Sequence, residues 1–105
     1  MAWVYVVIAG LLEVGWAIGL KMSDGFTRPW ISVATVAGMI LSFVILAQGM
    51  KTLPVGTAYA VWTGIGVIGT AVFGMIYLGE AHDSVRVACL LMIFSGILGL
   101  RFFTA

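Results

Sequence analysis

Residues 3–20 read WVYVVIAGLLEVGWAIGL, eighteen positions with one charge among them, Glu13. As an α-helix rising about 1.5 Å per residue, a run of this length covers the hydrocarbon core of a bilayer. Three more runs follow. Trp30 to Met50 and Val55 to Leu78 carry no charge, and Val87 to Leu100 becomes a full crossing once Arg86 and Arg101 extend their guanidinium groups to opposite interfaces. Lipid offers no partner for backbone N–H and C=O groups, and the period-two alternation of a membrane barrel is absent, so helices are the expected form. The reading is an all-α integral membrane protein. Residues 1–105 form one four-helix transmembrane domain, with spans at about 3–21, 30–50, 55–78 and 85–103.

Composition points the same way. Of 105 residues, 63% are hydrophobic and 9% charged, a balance that a water-soluble domain of this size cannot carry without aggregating. That disfavours a soluble enzyme, a secreted disulfide scaffold and a nucleic-acid binder, and leaves membrane lipid as the surrounding partner. The single cysteine, Cys89, cannot close an internal disulfide. No His, Cys and carboxylate cluster has metal-ligand spacing, so neither a metal nor a cofactor is expected. Residues 1–20 lack the basic segment and small-residue cleavage site of a signal peptide.

The connections are short: Lys21 to Pro29, Lys51 to Pro54 and Gly79 to Arg86, with Asp24-Gly25, Pro29, Pro54 and Gly79 as turn and stop residues. Trp3, Tyr5, Phe26, Trp30 and Tyr77 sit near span ends, where amphipathic rings anchor in the headgroup layer. Four spans place Lys51 and Arg101 on one side and Lys21, Arg28 and Arg86 on the other. Orientation follows Lys/Arg asymmetry, so two against three specifies it weakly. Copies inserted both ways up would create from one chain the inverted symmetry that larger transporters encode as internal repeats. An antiparallel homodimer is therefore the expected assembly. Its candidate seam is on the fourth span, where Cys89 and Gly96 stand seven apart on one helical face with Ala88, Ser95 and Gly99 beside them.

Glu13 lies ten residues beyond Trp3 and eight before Lys21, near mid-membrane. An ionised acid there costs about 2.5–3.5 kcal/mol on insertion scales, which marks Glu13 as a functional residue; a protonated glutamate in a helix contact is the structural alternative. Gly10 and Trp16 share its helix face. Gly10 admits either another helix or a small ligand. Trp16 is too deep for the interfacial belt, and its indole N–H needs an acceptor such as the Glu13 carboxylate. On the third span Tyr59, Trp62, Thr63 and Gly66 share a stripe, and on the second Ser42 is the mid-membrane hydroxyl. Thr63 and Ser42 either bond back to the carbonyl four residues earlier or face a site. An acid, two indoles, a phenol and hydroxyls suit a small desolvated cation. Gly64 and Gly66 allow bending, as a hinge, or close packing.

Through EVGWAIGLK (13–21), SDGFTRP (23–29), Ser42-Phe43 and PVGTAYAVWTGIG (54–66), the chain resembles the small multidrug resistance family of transporters over essentially its whole length. Trp16 and its surroundings make it similar to the guanidinium exporter subtype. The resemblance implies an antiparallel homodimer in a bacterial inner membrane that exchanges protons for guanidinium ions by alternating access, driven by the proton gradient. It also implies that Glu13 of each protomer binds either a proton or the substrate, with Trp16 and Ser42 hydrogen-bonding and orienting the carboxylate. By the same resemblance Trp62 lines the pocket, and Tyr59 changes partners as the site changes side. Gly10 is then a small position near the glutamate, Gly64 and Gly66 the hinge of the third helix, and the Cys89 and Gly96 face the dimer contact. The chemistry agrees, because guanidinium is planar and gives two parallel N–H bonds to one carboxylate. The runner-up is an exporter of quaternary ammonium or polyaromatic cations, bound through cation–π contact. A more distant reading, a non-transporting assembly subunit, leaves Glu13 without a use.

Overall fold

In a computed structural model that describes residues 2–103, the chain forms four helices: α1 (Ala2–Met22), α2 (Pro29–Gly49), α3 (Val55–Tyr77) and α4 (Ser84–Phe103). Each is long and apolar enough to cross a membrane.

Local chemistry ends each helix where the apolar run ends. Past α1, Ser23 is fully buried, donates its hydroxyl to the Leu20 carbonyl at 2.7 Å and accepts the Phe26 N–H at 3.1 Å. Asp24, Gly25 and Phe26 then take φ values of 51°, 70° and 66°, a left-handed stretch that reverses the chain. Pro29 opens α2, where its missing N–H leaves no bond unmade. At the end of α3 the Gly74 carbonyl accepts the N–H groups of Leu78 and Glu80 at 3.0 and 3.1 Å, with Gly79 at a φ of 69°. The Asp83 carboxylate caps α4 by accepting the Arg86 N–H at 3.0 Å, and it pairs with the Arg86 guanidinium at 3.0 Å.

The helices make a slab of 42 × 35 × 16 Å. Close backbone packing runs from α2 to α1, from α1 to α3 and from α3 to α4. Glycines set these approaches: a Cβ on Gly10 would stand 2.8 Å from Ile65, and one on Gly64 2.7 Å from Ile97. The buried apolar residues are Val6, Ala9, Leu46, Leu53, Ala58, Val61 and Trp62. They come from the first halves of α1 and α3, the end of α2 and the α2–α3 turn, so the firm core occupies the end of the slab that carries Lys51. The Arg101 guanidinium lies 5.1 Å from the Trp3 ring centre, which brings the close of α4 to the start of α1 at that same end.

No residue of α4 is buried. Cys89 and Gly96 are exposed, and nothing lies within 4 Å of where a Gly96 Cβ would stand. Gly96 is therefore open, and Cys89 borders a cleft against Ala71 and Met75 of α3.

Candidate functional site

Glu13 is the one acid within the four helices. Its side chain crosses from α1 to α3 and lies against Gly66, in the space where a Cβ on that residue would collide with its Oε1, Cδ and Cγ atoms. Oε1 is buried and has no hydrogen-bond partner. Burial without a partner is costly for a carboxylate, so this oxygen is a standing acceptor for whatever ligand or proton reaches it.

Around this seat three helices are tied by a buried relay. Ser42, fully buried on α2, donates to the Ala9 carbonyl of α1 at 2.8 Å and accepts the indole N–H of Trp62, on α3, at 3.0 Å. In an α-helix the Ala9 carbonyl also receives the N–H of residue 13. Ser42 thus fixes the turn of α1 that ends at Glu13. Trp62 is only 6% exposed, while Tyr59, one turn earlier, is 55% exposed with its ring centre 5.5 Å away.

A row of rings runs across the same helices. Trp16 meets Phe43 edge-on at 6.2 Å, Phe43 meets Trp62 at 5.8 Å, and Trp62 meets Tyr59. Beside Trp16 a cavity of about 240 Å³ opens between α1 and α2, lined by Leu12, Gly15, Trp16, Gly19, Ile31, Ala34, Thr35 and Gly38. It lies on the other side of Glu13 from the firm core.

Several expectations change in detail. Trp16 does not hydrogen-bond Glu13: its Nε1 is buried without a partner, because the ring stands edge-on to Phe43 of α2. Ser42 reaches Glu13 through the Ala9 carbonyl, since its one proton is committed there and not to the carboxylate. Neither Ser42 nor Thr63 bonds back within its own helix; Thr63 Oγ1 is buried and unpartnered. Gly10 faces Ile65, so in this chain it serves the packing of α1 on α3. Helix α3 runs unbroken through Gly64 and Gly66, whose missing side chains admit Ile97 and Glu13.

Two participants escape a reading of the sequence. Phe43 joins Trp16 to Trp62 in the aromatic row, and its one signal is adjacency to Ser42. Thr70, whose Oγ1 is buried and unpartnered, stands seven residues beyond Thr63 on the same stripe of α3, a spacing visible in the sequence.

The description "Small Multidrug Resistance protein" belongs to the family whose sequence pattern matches residues 1–93. The chain belongs to the Small Multidrug Resistance family. It is 56% identical over 104 residues to the guanidinium exporter of Escherichia coli strain K12, covering 99% of each chain. Against the guanidinium exporters of Citrobacter freundii and Salmonella typhimurium the identity is 54% over the same length, again with 99% of each chain covered. As a small multidrug resistance protein it is a multi-pass membrane protein whose four helices account for most of its length.

Proposed function

We propose that this small multidrug resistance protein exports guanidinium and small substituted guanidiniums across a bacterial inner membrane in exchange for protons. The observation that carries the reading is Glu13, the one acid in four apolar helices, with a buried and unpartnered oxygen at mid-helix. Relatives named guanidinium exporters, alike over the full length, support the choice of substrate.

The mechanism follows from competition. A carboxylate accepts either one proton or the parallel N–H groups of a planar guanidinium, and not both. A site that reorients only when loaded therefore couples the inward run of protons to the outward passage of the cation, with no cofactor. Ser42 and Trp62 hold the backbone and ring beside the acid, while Trp16, Phe43 and Tyr59 supply the aromatic wall.

The working unit in this reading is an antiparallel homodimer. Three features support it: the near-balanced positive charges, the uncovered Cys89 and Gly96 face of α4, and the confinement of the firm core to one end of the chain. Two opposed copies set the firm end of one against the open end of the other and bring two Glu13 residues to a shared site, with the inverted symmetry that alternating access uses.

The test is efflux of guanidinium from proteoliposomes loaded with it. An acidic exterior should accelerate efflux, and Glu13→Gln should abolish the acceleration. Efflux that ignores the pH gradient, or that persists in Glu13→Gln, contradicts the reading. A preference for a bulky quaternary ammonium ion over guanidinium would move the substrate class to multidrug cations.

A further inference from the structure

Among the described residues, four buried side-chain polar atoms lack a partner: Glu13 Oε1, Trp16 Nε1, Thr63 Oγ1 and Thr70 Oγ1. Thr63 and Thr70 flank Gly66, three residues before it and four after, so both stand about one turn from the place where Glu13 lies against α3. Three other helical hydroxyls bond back to the carbonyl four residues earlier: Ser32 to Arg28, Thr35 to Ile31 and Ser95 to Leu91. Thr70 has the Gly66 carbonyl at that position and does not use it.

The direction of helical side chains separates the two threonines. Each Cα–Cβ bond tilts toward the helix N-terminus, so a residue covers the surface over the turn before it. Thr70 accordingly leans back over Gly66, where the atoms nearest the missing side chain are those of Glu13. Thr63 leans the same way, toward Tyr59, and so away from Gly66. An ionised carboxylate is an acceptor only and requires donors when buried. Two nearby donors are committed elsewhere, the Ser42 proton to Ala9 and the Trp62 N–H to Ser42, while the Trp16 N–H is unpartnered on a ring that packs edge-on with Phe43.

We propose that Thr70 is a positioning residue for Glu13: its hydroxyl, unbonded in this structure, turns to donate to the carboxylate oxygen that lies against Gly66 when the acid is ionised. The inference rests on the reading of Glu13 as the substrate-binding acid. Each carboxylate oxygen has two lone pairs, so a bond from Thr70 leaves both oxygens open to a guanidinium fork while fixing the plane in which the fork is presented.

The experiment compares guanidinium transport by the parent protein, Thr70→Val, Thr70→Ser and Glu13→Gln in proteoliposomes, with gel filtration as the check on folding. Thr70→Val keeps the shape and loses the hydroxyl, so the concentration for half-maximal transport should rise about three- to tenfold. Thr70→Ser keeps the hydroxyl and should stay within about twofold of the parent. Should Thr70→Val not fold, Thr70→Ala against Thr70→Ser makes the same comparison. An unchanged Thr70→Val beside an inactive Glu13→Gln overturns the role of Thr70 alone, and so does a Thr70→Ser as impaired as Thr70→Val, which would mean packing. A fully active Glu13→Gln overturns the underlying reading of the acid, and Thr70 with it.

Discussion

The side chain of Glu13 fills the space that a Cβ on Gly66 would need. The acid on α1 and the glycine on α3 are thus one unit, and any side chain at position 66 must displace the carboxylate or part the two helices. Gly66→Ala should cut guanidinium transport at least tenfold and destabilise the fold by about 1–3 kcal/mol, the usual penalty for overpacking. Gly56→Ala is the matched control, because nothing lies within 4 Å of its Cβ position on the same helix. Equal transport by the two variants would show that the carboxylate does not depend on this seat.

Ser42 is the knot between α1, α2 and α3. Ser42→Ala leaves the Trp62 N–H buried without an acceptor and should lower stability by about 1–3 kcal/mol, read from thermal unfolding in detergent. Trp62→Phe removes the donor instead. Because the two residues share one bond, the double variant should cost less than the sum of the single ones. Strict additivity would contradict the relay.

Cys89 and Gly96 offer a test of the proposed antiparallel dimer. They lie seven residues apart, about 10 Å along α4, so in an antiparallel pair Cys89 of one copy faces position 96 of the other. A disulfide needs Cα atoms within about 7 Å. Under mild oxidation, Gly96→Cys in a chain that keeps Cys89 should form a dimer more readily than the parent, or than Gly96→Cys combined with Cys89→Ala. Ready cross-linking of the parent through Cys89 alone would indicate parallel copies.

Orientation should respond to single charges. Lys51 and Arg101 stand against Lys21, Arg28 and Arg86, and both Arg28 and Thr52 are exposed. Combining Arg28→Gln with Thr52→Lys reverses the balance to three against two, and reporters fused to the C-terminus should show the population shifting toward the orientation with Lys51 inside. An unmoved population would mean that something other than Lys/Arg balance sets topology.

The fold was largely legible because lipid removes most alternatives. Apolar runs long enough to cross must be helices, and Pro29, Pro54 and Gly79 lie at their bounds, as Asp24-Gly25 lie in the first turn. Glu13 stood out as a candidate for the same reason, since an acid in such a run is costly to keep. Its surroundings were less so. The acceptor of Ser42 is a backbone carbonyl on another helix, which no side-chain pattern marks. Gly66 read equally well as a hinge or a packing site until α1 was placed against α3, and Gly10 as ligand space until Ile65 filled it. A one-dimensional stripe says which residues share a face, and it does not say which neighbouring helix that face meets.

Proton release from the detergent-solubilised protein tests most directly whether a proton and a guanidinium ion compete for Glu13. Adding guanidinium to weakly buffered protein should release protons, and acidifying the medium should weaken guanidinium binding, by at most about tenfold per pH unit for each proton displaced. The sign is fixed because the protonated acid no longer attracts the cation. Glu13→Gln should release none. Guanidinium binding without proton release, or undiminished release from Glu13→Gln, would contradict the account.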